Sequence, residues 1–144
     1  MRLPELLNDL RRDEGWNQSI YPDSLGFDSW GYGICVDKRK NATLPRAVGE
    51  LWLQLEAEGK WAALMHRLPW LQAQPEDVQR ALANMAYQLG VEGVCGFELM
   101  LAALERGDRE TAAVCALDSQ WAKQTATRAQ RVADLIRGTE GEAL

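Results

Sequence analysis

Apolar side chains recur at three- and four-residue spacing from the start of the chain, at Leu3, Leu6, Leu7 and Leu10. That period puts them on one helical face and predicts a short helix over residues 3–13. Pro4 falls in its first turn, where a missing N–H costs no hydrogen bond, and Gly15 stops it. The pattern then changes. Over residues 16–35, Ile20, Tyr21, Phe27, Trp30, Tyr32 and Ile34 are interspersed with Gly26, Gly31 and Gly33. This is the composition of two or three short strands, with Pro22-Asp23-Ser24 as a turn. Asp37-Lys38-Arg39-Lys40-Asn41 is a polar loop. Thr43 is placed to cap a helix with Pro45 in its first turn, carrying Ala47, Leu51, Leu55, Ala62 and Met65 to about Arg67. Gly59 is a candidate break within it, and Pro69 ends it.

From Gln74 onward the spacing is helical throughout. Pro75-Glu76-Asp77 sets acids at the positive end of a helix striped by Val78, Leu82, Met85, Ala86 and Leu89, and Gly90 terminates it. Residues 92–106 form one or two further helices, stopped by Gly107. Asp108 caps a helix carrying Ala112, Val114 and Ala116. Thr125 caps a last one, carrying Ala129, Val132, Leu135 and Ile136 and ending at Gly138. A small sheet near the N-terminus followed by a helical bundle is an α+β arrangement. A cleft between two such parts suits a polymeric substrate.

The chain has 144 residues, enough for one domain with its own core. Apolar residues make up 47% and charged residues 26%, which excludes general disorder and leaves only Thr139-Glu140-Gly141-Glu142 as a frayed tail. The net charge of −5 argues against a nucleic-acid partner, because that affinity rests on Lys and Arg meeting phosphate. It argues equally against docking on anionic lipid. It opposes attraction of an anionic polymer, so a local cationic patch such as Arg128 with Arg131 would have to outweigh the mean field.

Met1-Arg2-Leu3-Pro4-Glu5 begins no stretch of secretory length, and no apolar run approaches a membrane span. The expectation is a cytoplasmic product without a signal peptide or membrane anchor. Cys35, Cys95 and Cys115 are odd in number and widely spaced, so they read as small, buried, reduced thiols rather than a disulfide framework or zinc site. His66 is the sole histidine, and no nucleophile motif accompanies it. No metal or cofactor is implied. The six tryptophans, Trp16, Trp30, Trp52, Trp61, Trp70 and Trp121, read mostly as core.

Glu14 stands at the end of the first helix, Asp23 in the turn of the sheet, and Ser29 farther along it. A glycosidase needs one carboxyl to protonate the leaving oxygen and a second group to manage water or act as nucleophile. A helix-end Glu facing a hairpin Asp can bring two carboxyls to one cleft. Among twenty-one acidic residues, that spacing alone is weak, since most will be solvated.

The surrounding sequence is more specific. Arg12-Asp13-Glu14-Gly15, Ile20-Tyr21-Pro22-Asp23-Ser24 and Trp30-Gly31-Tyr32-Gly33 resemble the phage-type lysozymes, in which Glu is followed after eight residues by Asp and after five more by Thr. Here Ser29 occupies the Thr position, keeping the hydroxyl but losing the methyl that restrains its rotamer. A second block, Asn84-Met85-Ala86-Tyr87-Gln88-Leu89-Gly90 with Gly93-Val94-Cys95-Gly96-Phe97, resembles the family's central helix and following turn. A third, Trp121-Ala122-Lys123-Gln124-Thr125 with Arg128-Ala129-Gln130-Arg131-Val132, resembles its last two helices. The blocks occur in family order. Residues 36–73 match poorly, Ile34 stands where the family often has His, and Met100 and Cys115 stand at cleft positions where relatives carry Ser or Asn.

The resemblance implies a lysozyme-like fold in a single domain over 1–144. Its N-terminal lobe would span about 13–67, its helical lobe about 1–12 and 68–138, and its tail 139–144. It implies a muramidase that cuts the β-1,4 bond between N-acetylmuramic acid and N-acetylglucosamine of bacterial peptidoglycan with inversion. Glu14 would be the general acid, Asp23 the second acid, and Ser29 a holder of the attacking water. Tyr87, Gln124 and Thr125 would line the cleft, and Arg128 would meet Glu14. From the residues themselves, Tyr87 reads equally as core, and Thr125 reads as a helix cap, either alone or in addition to lining the cleft. The expected setting is a monomeric phage or prophage endolysin, held in the host cytoplasm until a holin opens the way to the wall. The competing reading is an inactive lysozyme-fold module that binds wall glycan or another protein.

Overall fold

The computed structural model describes residues 3–36 and 44–139. The polar loop 37–41, the Thr43 cap and tail residues 140–142 lie outside the described residues. The chain divides into two compact units, Met1–Arg46 and Ala47–Leu144. The fold is α+β, as the change of period after Gly15 predicts.

The first unit holds α1 (Leu3–Glu14) and a three-stranded antiparallel sheet, β1 (Asn17–Pro22), β2 (Asp28–Gly31) and β3 (Ile34–Cys35), in the order β1-β2-β3. Tyr21 pairs with Ser29, and Ser29 with Cys35, so one face of the sheet carries all three. Between Asn17 and Tyr21 the register shifts, a bulge that bends β1. The β1–β2 turn runs across Asp23–Phe27 rather than only Pro22–Ser24: the Asp23 N–H donates to the Phe27 carbonyl at 2.7 Å and Gly26 N–H to the Asp23 carbonyl at 3.0 Å.

The second unit opens with α2 (Arg46–Arg67), which begins in the last residue of the first. It runs unbroken through Gly59, because one glycine in a 22-residue helix weakens it without terminating it. A 3-10 turn (Pro69–Ala73) follows. The remaining helices are α3 (Glu76–Cys95), α4 (Glu98–Glu105), α5 (Arg109–Leu117), α6 (Gln120–Gln124) and α7 (Ala126–Arg137). Gly90, with φ 75° and ψ 166°, interrupts α3 where the apolar stripe ends. The largest fully buried side chains all belong to this unit, among them Leu64, Leu71, Leu82, Met85, Met100, Leu104 and Ile136. Each such burial stabilises by about 1.5–3 kcal/mol.

Caps fix the helix ends. Asp108 accepts the Thr111 N–H at 3.1 Å, as its position ahead of α5 predicts. Gly138 closes α7 in the left-handed conformation. The Arg109 side chain donates to the Leu135 and Ile136 carbonyls there while pairing with Asp77 at 2.6 Å. Thr125 corrects its expected role. Its side chain does not cap α7 but donates to the Trp121 carbonyl at 3.0 Å, binding the end of α6.

The tryptophans divide. Trp121 is buried, donates to Gln88 Oε1 at 2.9 Å and meets Phe97 edge-on. Trp61 and Trp70 pack on the core. Trp16, Trp30 and Trp52 are instead exposed. The three cysteines are free and half-buried rather than buried. No described helix is long and apolar enough to cross a membrane.

Candidate active site

Glu14 is the last residue of α1, and Gly15, at φ 67°, turns the chain out of the helix toward β1. The flanking residues Glu14 and Trp16 each lie over a glycine of Trp30-Gly31-Tyr32-Gly33. A Cβ on Gly31 would sit 3.3 Å from the Trp16 ring, and one on Gly33 would sit 2.6 Å from Glu14 Oε2. Trp16 also meets Trp30 at 5.4 Å and Tyr32 at 5.2 Å between ring centroids. Trp30 is further held through its indole N–H, which donates to the Gln18 carbonyl at 3.1 Å. This aromatic group holds the chain on both sides of Gly31. The Glu14 side chain is exposed, so its carboxyl is open to solvent.

Asp23 is half-buried at the start of the hairpin turn. Its Oδ1 accepts the backbone N–H groups of Leu25 and Phe27, each at 2.9 Å. The carboxylate is thereby oriented through one oxygen, with Oδ2 left to other partners. Ser29 lies on β2 opposite Tyr21, two positions before Asp23, and is only 3% exposed. Asp23 and Ser29 thus belong to one hairpin, and the first unit carries all three residues singled out for chemistry.

The second unit carries the others. Tyr87 is 44% exposed on α3, which excludes it from the core. Gln124 is exposed at the end of α6, and Thr125 follows it half-buried. Arg128 donates to the Asn84 side chain at 2.9 Å and to the Asn84 carbonyl at 3.1 Å, tying α7 to α3. Met100 is core, so at that position packing replaces polarity. Sequence reasoning passed over Asn84 and Gln88. Their signal was two polar side chains four residues apart in the second matched block, each bonding a side chain of the third.

The family model for phage lysozyme matches residues 11–140, a span that contains Glu14, Asp23, Ser29 and every residue above from the second unit. The chain belongs to the phage lysozyme family. It is similar to the pre-baseplate central spike protein Gp5 of Enterobacteria phage T4, with 34% identity over 152 residues. That alignment covers 88% of this chain and 26% of the spike protein, so the chain spans about a quarter of that relative's length. As a phage lysozyme it is a lysozyme-like module, of the kind that hydrolyses glycan or binds the cell wall.

Proposed function

We propose that this phage lysozyme is an active muramidase, hydrolysing the β-1,4 bond between N-acetylmuramic acid and N-acetylglucosamine in peptidoglycan. The observation that carries the reading is the state of the three first-unit residues. Glu14 presents an exposed carboxyl, Asp23 keeps one oxygen oriented by backbone N–H groups, and Ser29 supplies a hydroxyl on the same hairpin. An inactive binding module has no need of this set.

In this mechanism Glu14 protonates the glycosidic oxygen as the bond to the anomeric carbon breaks. Asp23 Oδ2 takes a proton from a water that Ser29 helps to hold, and the water attacks the opposite face of the sugar. Tyr87 and Gln124 contact the glycan. Thr125, its hydroxyl committed to Trp121, shapes the contact through the α6–α7 turn. Digestion of purified peptidoglycan, with mass spectrometry of the released ends, tests the activity. Reducing N-acetylmuramic acid ends support it, and intact glycan chains favour the binding module.

A second reading concerns setting rather than chemistry. The relative's name describes a spike of the phage baseplate, which favours a wall-cutting module carried on a particle over an enzyme released late in infection. Immunoblotting of purified virions separates the two.

A further inference from the structure

We propose that Gly33 is a positioning residue for Glu14, its missing side chain forming the floor on which the proton-donating carboxyl rests. The inference rests on the reading of Glu14 as the acid and adds what locates it. Gly33 has φ 70°, a left-handed backbone that L residues rarely adopt. An added Cβ would lie 2.6 Å from Glu14 Oε2, 3.2 Å from its Cδ and 3.8 Å from its Cγ. The first distance is shorter than real contacts allow, so the carboxyl must move.

The part that moves decides the consequence. The three nearest atoms are all in the Glu14 side chain, which is exposed and free to swing aside. The cost therefore falls on the place from which the proton is delivered. A displacement of about 1 Å in a catalytic group is enough to lose about 100-fold in rate. Gly31 supplies the contrast. It has nearly the same backbone, φ 66°, but its added Cβ would meet only the Trp16 ring.

The test separates the methyl from the backbone. Joining a synthetic segment 1–34 to the chain beginning at Cys35 allows Gly33 to be replaced by D-alanine or by α-aminoisobutyrate in the full-length protein. Both accept a positive φ, but only α-aminoisobutyrate carries a methyl in the L position. The expected result is a kcat on peptidoglycan about 100-fold lower for α-aminoisobutyrate, with KM within about threefold and a displaced alkaline limb of the pH–rate profile, where the acid loses its proton. D-Alanine should stay within about threefold of the parent. Equal activity of the two variants, whether both high or both low, overturns the role of Gly33. Glu14→Gln, assayed alongside, keeps the two claims apart. An active Gln variant removes Glu14 as the acid, whereas an inactive one beside a fully active α-aminoisobutyrate variant removes only the positioning by Gly33.

Discussion

Asp23 and Phe27 are joined twice: the Asp23 carboxylate accepts the Phe27 N–H at 2.9 Å, and the Asp23 N–H donates to the Phe27 carbonyl at 2.7 Å. The candidate second acid is therefore also the residue that closes its own hairpin. An amide at this position keeps the accepting oxygen and loses the base. Asp23→Asn should hold Tm within about a degree or two while lowering turnover by about 100-fold or more. Asp23→Ala should lose activity and also the stability of two backbone hydrogen bonds, each contributing about 0.5–1.5 kcal/mol. Thermal unfolding and peptidoglycan turnover of both variants check this, and a fully active Asn variant would reduce Asp23 to a turn residue.

Asp108 gives a pH dependence. Its carboxyl sits below the ordinary carboxylate range because the Thr111 side chain and then the Thr111 backbone N–H hydrogen-bond it, with Arg106 adding a smaller effect. A carboxyl depressed in the folded state stabilises above its unfolded pKa, and that contribution is lost as the pH falls through the folded value. Asp108→Asn, which retains a capping oxygen, should flatten the acid side of the Tm–pH curve. Asp108→Ala should lower Tm at neutral pH as well. An unchanged curve in both variants would contradict the cap.

Arg109 joins the start of α3, the start of α5 and the end of α7. Truncation leaves the partly buried Asp77 carboxylate without this partner, removes the side-chain donor from the Ile136 carbonyl and leaves the Leu135 carbonyl to the Gly138 N–H. Arg109→Ala should cost about 1.5–3 kcal/mol in urea unfolding, with turnover at 25 °C little changed. A loss below about 0.5 kcal/mol would show that solvent replaces the contact.

Stereochemistry is the mechanistic prediction. A water held by Asp23 and Ser29 opposite Glu14 yields inversion, so the first product should be the α-anomer. NMR of freshly cleaved oligosaccharide, recorded before mutarotation, reads this directly. An initial β-anomer, or a sugar ester trapped on Asp23, would make Asp23 a nucleophile and leave Ser29 without its role in the first step.

What was legible in the sequence followed from local physics. The leucine period of α1, the glycine-aromatic alternation of the sheet and the caps at Asp108 and Gly138 depend on near neighbours, and each appears where the residues placed it. Ordered blocks of family resemblance carried Glu14, Asp23 and Ser29. Less was legible where the decision is tertiary. Thr125 bonds backward to Trp121 rather than forward into α7, and Arg128 finds Asn84 across helices. Trp16 and Trp30 share an exposed aromatic group with Tyr32. Composition cannot tell such a group from a core, because the same rings serve both. Nor does spacing disclose that Gly33 lies beneath the Glu14 carboxyl.

The central claim is that Glu14 delivers the proton, and turnover of purified peptidoglycan by Glu14→Gln tests it most directly. The side chain is exposed, and its amide isostere keeps the shape but has no proton of useful acidity. The variant should therefore fold with unchanged Tm and lose about 10²–10⁴-fold in rate, the usual worth of general acid catalysis. A folded Gln variant retaining more than about a tenth of the parent turnover would contradict the account.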